Sequence, residues 1–314
     1  MFHDIVPEPN ETVELRMEDG ATIRIRRHGN PNGPRLALSH GNGLAIDGYV
    51  TFWKLFCDRY DVLLFDIRNH GQNPYHGPDG HNWSRFVSDA EAIYEGICSR
   101  WGRKPTAGIF HSLSAVIAIG QAVEVGPRWD LMVLFDPPLP PPKGHSLYVP
   151  YVEEQEELSR RSVRRIERFK DPLELAERLR RNPRFSRWRP EAYEAVARAT
   201  LRPTSDGDYE LCCPRELEAR IYATSPTLGL WEKIPKLSVP VKLVCADLAT
   251  RDESIVCLLG RALHEEFGIG YEMVTGAGHF LQLEQPERCA QAVERFLKEM
   301  SFGNGPDGSA AENA

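Results

Sequence analysis

The chain has 314 residues, with 38 Lys+Arg against 45 Asp+Glu and a net charge of −7. The acidic balance disfavours nucleic acid as a partner, and no apolar run is long enough to cross a bilayer. A hydrophobic content of 41% and a charged content of 26% fit a globular protein able to bury a sizeable core.

Residues 1–10 are polar and lack the apolar stretch of a secretory leader. Two β-type segments follow over 12–17 and 21–27, joined by an Asp19-Gly20 turn. Short apolar runs then alternate with helical patterns. The runs cover 35–39, 62–66, 106–110, 131–136, 241–246 and 271–275. The helical patterns cover 49–57, 83–101, 114–125, 253–267 and 286–300. Continuous apolar strands separated by amphipathic helices predict an α/β protein, with a mostly parallel, doubly wound sheet covered on both faces.

Between 137 and 235 the alternation breaks. Pro137-Pro138-Leu139-Pro140-Pro141-Pro142 admits neither helix nor central strand. Charged helical sequence follows over 153–169 and 172–181. The pattern predicts one core from residues 1–136 and 236–300, a helical lid inserted at 137–235 and a disordered tail at 301–314. Arg160, Arg161, Arg164, Arg165 and Arg168 read as a solvated helix face paired with the acidic residues of 153–157. The cysteines, Cys57, Cys98, Cys212, Cys213, Cys245, Cys257 and Cys289, form no CxxC pair. They read as small buried hydrophobes of a reduced, cytoplasmic protein without a structural zinc site.

Two residues stand out chemically. Ser112 follows the strand over 106–110 and precedes a helical pattern. A serine on a tight strand-to-helix turn projects its hydroxyl above the sheet edge, and the N–H of the next residue, Leu113, can face an oxyanion there. That turn normally takes small residues two before and two after the serine. Ser114 satisfies the second position, and Phe110 departs at the first. His279 lies in Gly276-Ala277-Gly278-His279-Phe280, after the last strand, where flanking glycines permit a sharp bend. From there its imidazole is a candidate general base for Ser112. The loop His40-Gly41-Asn42-Gly43 can supply a second oxyanion donor, the N–H of Asn42, with its side chain as a possible helper. No phosphate-binding glycine pattern is present, which disfavours nucleotides. His111 reads as structural, and His70 and His81 read as surface or loop-packing residues. Tyr148, Phe185, Trp188 and Trp231 read as pocket lining or packing within the lid.

The order of His40-Gly41-Asn42-Gly43, Asp66-Ile67-Arg68-Asn69-His70-Gly71, His111-Ser112-Leu113-Ser114 and Gly276-Ala277-Gly278-His279-Phe280 resembles the α/β-hydrolase superfamily across about residues 21–300. The resemblance implies the α/β-hydrolase fold and a Ser-His-acid triad in that chain order. The family's usual acid position falls on Ala249, which has no carboxylate. Asp247 and Asp252 flank it. A second location known in the family, after the strand before the lid, is occupied by Asp136, which is preferred here. In each case the carboxylate would fix the imidazole tautomer and stabilise the imidazolium. A serine alkoxide suits a carbonyl, whereas dehalogenation and epoxide opening need a carboxylate nucleophile.

The expectation is a serine hydrolase of a carboxylic ester, lactone or thioester, or of a C–C bond beside a ketone. It would use no cofactor or metal and act on a small acyl substrate, with no nucleic acid or membrane partner. Phe110 and Ala249 keep two rivals open: a non-hydrolytic ligand binder, and a cofactor-free lyase or oxygenase on the same scaffold. The oligomeric state is open, a homodimer included.

Overall fold

The computed structural model describes residues 5–250 and 255–303. The main sheet has eight strands: β1 (Glu11–Arg16), β2 (Thr22–Gly29), β3 (Arg35–Ser39), β4 (Asp61–Phe65), β5 (Thr106–His111), β6 (Leu131–Phe135), and then β10 (Val241–Ala246) and β11 (Gly270–Val274). Between β6 and β10 come three short strands, β7 (Arg168–Phe169), β8 (Leu201–Pro203) and β9 (Tyr209–Leu211), in a small sheet of their own. The large sheet runs β1-β2-β4-β3-β5-β6-β10-β11. β1 and β2 are antiparallel to their neighbours, and the remaining strands are mutually parallel.

The helices are α1 (Val50–Trp53), α2 (Trp83–Trp101), α3 (Leu113–Glu124), α4 (Tyr148–Ser162), α5 (Pro172–Arg181), α6 (Pro190–Thr200), α7 (Arg215–Thr224), α8 (Ile255–Phe267), α9 (Leu281–Glu284) and α10 (Pro286–Glu299). Local chemistry sets several of their ends. The Asn82 side chain accepts from Arg85 N–H at the start of α2, and Asp171 caps α5 with Pro172 in the first turn. Gly102, at φ +74, ends α2.

Alternate residues of each central strand face opposite sides, so one sheet feeds two cores. Leu36, Leu38, Ile109, Val133 and Val244 pack towards α1, α6 and α10. Ala37, Leu63, Phe110, Met132, Leu134 and Leu243 pack towards α2, α3 and α8. This two-sided burial is why the strands read as unbroken apolar runs.

The segment between β6 and β10 holds α4 to α7 and the small sheet. It joins the first core through Phe169, Leu175, Trp188, Tyr193 and Val196. Contact is close at Gly48, where a Cβ would stand 2.9 Å from Val196. Two sequence expectations need correcting here. The helix expected over 153–169 ends at Ser162, and Arg168–Phe169 forms a strand paired with Tyr209 and Glu210. Burial of Phe169 in the core outweighs continuation of the helix. The segment is therefore not wholly helical. The expected tail beyond residue 303 and the first residues of the helix expected from 253 lie outside the described residues. Among the described residues, no helix is long and apolar enough to cross a membrane.

Candidate active site

The site forms at the carboxyl ends of the parallel strands, where β5, β6 and β11 each deliver one polar side chain. Ser112 joins β5 to α3 with φ +51 and ψ −113. A non-glycine residue held there is strained, and such strain concentrates at functional sites. The turn is clipped by Ser114, whose Oγ accepts from His111 N–H and donates to His111 C=O, both at 3.0 Å.

Phe110 does not spoil the turn. Its ring swings back over Gly108, two residues earlier on the same strand face. A Cβ on Gly108 would meet the Phe110 ring at 2.4 Å. The ring then packs on Trp129 and Phe65, with centroids 5.4 and 6.2 Å away. Gly108 thus provides the room that a small residue at position 110 would otherwise leave.

His279 arrives on the loop after β11. Its Nε2 lies 3.3 Å from Ser112 Oγ and its Nδ1 lies 3.2 Å from Asp136 Oδ2. With Nδ1–H aimed at the carboxylate, Nε2 is left to accept from the serine hydroxyl. Asp136 ends β6 at φ +40 and is fully buried, and its other oxygen accepts from Ala246 N–H at 3.0 Å. Asp247 is occupied elsewhere. It accepts from Ala249 N–H and Gly276 N–H, both at 2.8 Å, and these bonds hold its carboxyl below the usual range. It braces the loop that carries His279 and does not contact the ring. Asp252 lies outside the described residues.

The Gly41–Gly43 loop closes over the serine. A Cβ on Gly41 would stand 3.2 Å from both the Ser112 Cβ and His111 Nδ1. Among the described residues, the N–H groups of Asn42 and Leu113 donate to no protein acceptor, so both are free for an oxyanion. The Asn42 side chain is not free, because its Nδ2 donates to the Glu218 carbonyl at 3.0 Å.

The contacts made by four supporting residues could not be read from the sequence. Tyr49 O–H donates to His111 Nδ1 at 2.7 Å, and His111 Nε2–H donates to the His279 carbonyl at 2.9 Å, which fixes the backbone of the histidine loop. Burial first, then the nearby His279, pushes the His111 pKa well down. His70 Nε2 accepts from Gly43 N–H at 3.2 Å, and His40 Nε2 accepts from Ile67 N–H at 3.1 Å. His70 and His81 are fully buried, so the surface half of their expected role is wrong and the packing half describes them.

Burial lowers the pKa of His40 to about 4 and of His70 to about 3. Both imidazoles resist protonation in the fold more than in the unfolded chain, where the ordinary value is about 6.5. Their contribution to stability is therefore complete above that value and drains away as pH falls towards 4. Urea unfolding should lose about 2–4 kcal/mol between pH 7.5 and pH 5. An unchanged midpoint across that interval would contradict the neutral, buried assignment.

A cavity of about 580 Å³ opens over Ser112 and His279. Its floor includes Gly41, Asn42, His111 and Ser112, and its upper wall comes from residues 154–222, including Phe185 and Trp188. Trp231 instead packs against Phe267 and donates to Glu266 at 3.0 Å, and Tyr148 is not part of the wall. Arg160 and Arg161 pair with Glu157 as a solvated face should. Arg165 departs from that expectation by turning into the cavity to pair with Glu218. A separate void of about 30 Å³ under the elbow is lined by neither Ser112 nor His279. Among the described residues, no group of three or more His, Cys, Asp or Glu is placed to hold a metal ion.

A model described as the alpha/beta hydrolase family matches residues 36–292. The chain belongs to the α/β hydrolase family. As a member it is a hydrolase in its broad class. Solved structures agree on the fold. E-2-(acetamidomethylene)succinate hydrolase superposes with a TM-score of 0.74 at 19% identity, covering 92% of this chain and 100% of that one. An α/β hydrolase from Novosphingobium aromaticivorans gives 0.71 at 17%, covering 93% and 99%. The thioesterase domain from the curacin biosynthetic pathway gives 0.69 at 18%, covering 90% and 99%. No curated protein matches the chain.

Proposed function

We propose that this α/β hydrolase is a serine hydrolase that cleaves a carboxylic ester, lactone or thioester through an acyl-enzyme. The observation that carries the reading is the unbroken chain from Ser112 Oγ to His279 Nε2 at 3.3 Å and from His279 Nδ1 to Asp136 Oδ2 at 3.2 Å. In it, Ser112 Oγ attacks the carbonyl carbon while its proton passes to His279 Nε2. The buried Asp136 carboxylate stabilises the imidazolium. The carbonyl oxygen takes the negative charge against the Asn42 and Leu113 N–H groups. The intermediate then collapses, and the alcohol or thiol leaves with the proton from His279. Water, deprotonated by the same nitrogen, attacks the acyl-serine and releases the acid. Residues 137–235 act as a lid that shapes the acyl pocket.

The accommodated Phe110 and the contact of Asp136 with His279 weigh against a non-hydrolytic binder. By name, two proteins of the same fold are a thioesterase domain and a hydrolase of E-2-(acetamidomethylene)succinate, which suits acyl transfer here. The test is 4-nitrophenol release from 4-nitrophenyl acetate and butyrate, combined with labelling by a fluorophosphonate. Turnover together with stoichiometric labelling of Ser112 supports the reading. Folded protein that neither turns over nor labels would sink it.

A further inference from the structure

The cavity over Ser112 carries a charge opposite to that of the chain. Arg161, Arg165, Arg178 and Arg184 line it against Glu154 and Glu218, in a protein of net charge −7. Three of these guanidiniums have carboxylate partners. Arg161 pairs with Glu157 at 2.6 Å, Arg178 with Glu174 at 3.3 Å and Arg165 with Glu218. Arg184 differs, since among the described residues its side chain makes no hydrogen bond or ion pair.

The root of Arg184 is nevertheless fixed. Its N–H donates to Asn182 Oδ1 at 3.1 Å. The next residue, Phe185, packs on Trp188 and Phe280, with centroids 4.6 and 5.4 Å away, and Phe280 follows His279 in the chain. Arg165 and Arg184 line the same wall as Tyr222, and Glu218, the partner of Arg165, lies against Gly43 of the oxyanion loop. Positive charge is therefore focused on the wall beside the oxyanion loop. Arg184 lines the cavity and is exposed, so its guanidinium is within reach of a ligand entering there.

We propose that the acyl part of the substrate ends in a carboxylate, which Arg184 grips through its planar fork. This rests on the serine-hydrolase reading. The acyl side is favoured because the leaving group departs past His279 Nε2, whereas the Arg165–Glu218 pair on this wall lies against Gly43 and Asn42 of the oxyanion loop. A monoanion is favoured over a phosphate dianion because one guanidinium is unpaired and Glu154 and Glu218 share the cavity.

The test compares kcat/KM at low ionic strength for 4-nitrophenyl hydrogen glutarate and its neutral methyl ester, in wild-type protein and in Arg184→Gln and Arg184→Lys. A charge-assisted bidentate contact predicts a preference for the acid of about tenfold or more in wild type. The preference should be largely lost in Arg184→Gln, partly kept in Arg184→Lys and reduced by salt. Equal rates for the two esters in wild type, or an undiminished preference in Arg184→Gln, overturns the proposal and leaves the hydrolase reading standing. If neither ester is cleaved and Ser112 is not labelled, the hydrolase reading fails instead. Glutarate titrated against tryptophan fluorescence then decides the anion site on its own. Saturable quenching lost in Arg184→Gln supports it, and absence of binding to wild type refutes it.

Discussion

Ser112→Ala is expected to lower kcat/KM for 4-nitrophenyl butyrate by about 10⁴- to 10⁶-fold and to abolish fluorophosphonate labelling. The size follows from the geometry. Ser112 Oγ is the hydroxyl that faces His279 Nε2. Thr200, another hydroxyl in the cavity wall, is spent on the Val196 carbonyl at 2.8 Å. The fold should survive, because the elbow is clipped by Ser114 and not by Ser112. Alanine accepts the same φ at a similar cost, so the thermal midpoint should move by only a few degrees. Retained activity in the alanine variant would end the serine mechanism.

The second large effect is at Asp136. Asp136→Asn should cost about 10⁴ in kcat with little change in stability. The amide oxygen can still accept from Ala246 N–H, but the amide nitrogen would then face the imidazole at the Oδ2 position. Two donors cannot share that contact, so the ring must move its proton to Nε2. There it confronts the serine hydroxyl and can no longer accept from it. Asp247→Asn is the matched control. It weakens the brace on Gly276 N–H and should reduce stability by about 1 kcal/mol while kcat falls less than tenfold. The opposite ranking of the two variants would move the acid to Asp247.

These two aspartates also show where sequence reading stops. Asp136 and Asp247 end neighbouring parallel strands, with Phe135 registered against Val244. Both stand on the same sheet edge. Which one meets His279 depends on how a distant loop folds back, and no local pattern encodes that. Ser112 and His279 were legible because each follows a strand at a turn with its own signature. The sheet strands were legible because burial on both faces leaves unbroken apolar runs. Strands of two or three residues, such as Arg168–Phe169, are too short to show any period. The Phe110 departure had a visible counterpart in Gly108, and strand alternation places the two on one face. The role of Arg165 could not be read locally, because its partner Glu218 is 53 positions away.

One feature of the cavity bears on how such a protein changes over time. Ser112, Asp136 and His279 hang from the ends of sheet strands, while the four arginines all belong to the segment between β6 and β10. The strand-end floor and the arginine-bearing wall share no secondary-structure element. If the carboxylate proposal holds, substitutions at these arginines would change which acid is admitted while the strand ends that carry Ser112, Asp136 and His279 stay in place. Substrate preference and reactivity would then be separable targets of selection.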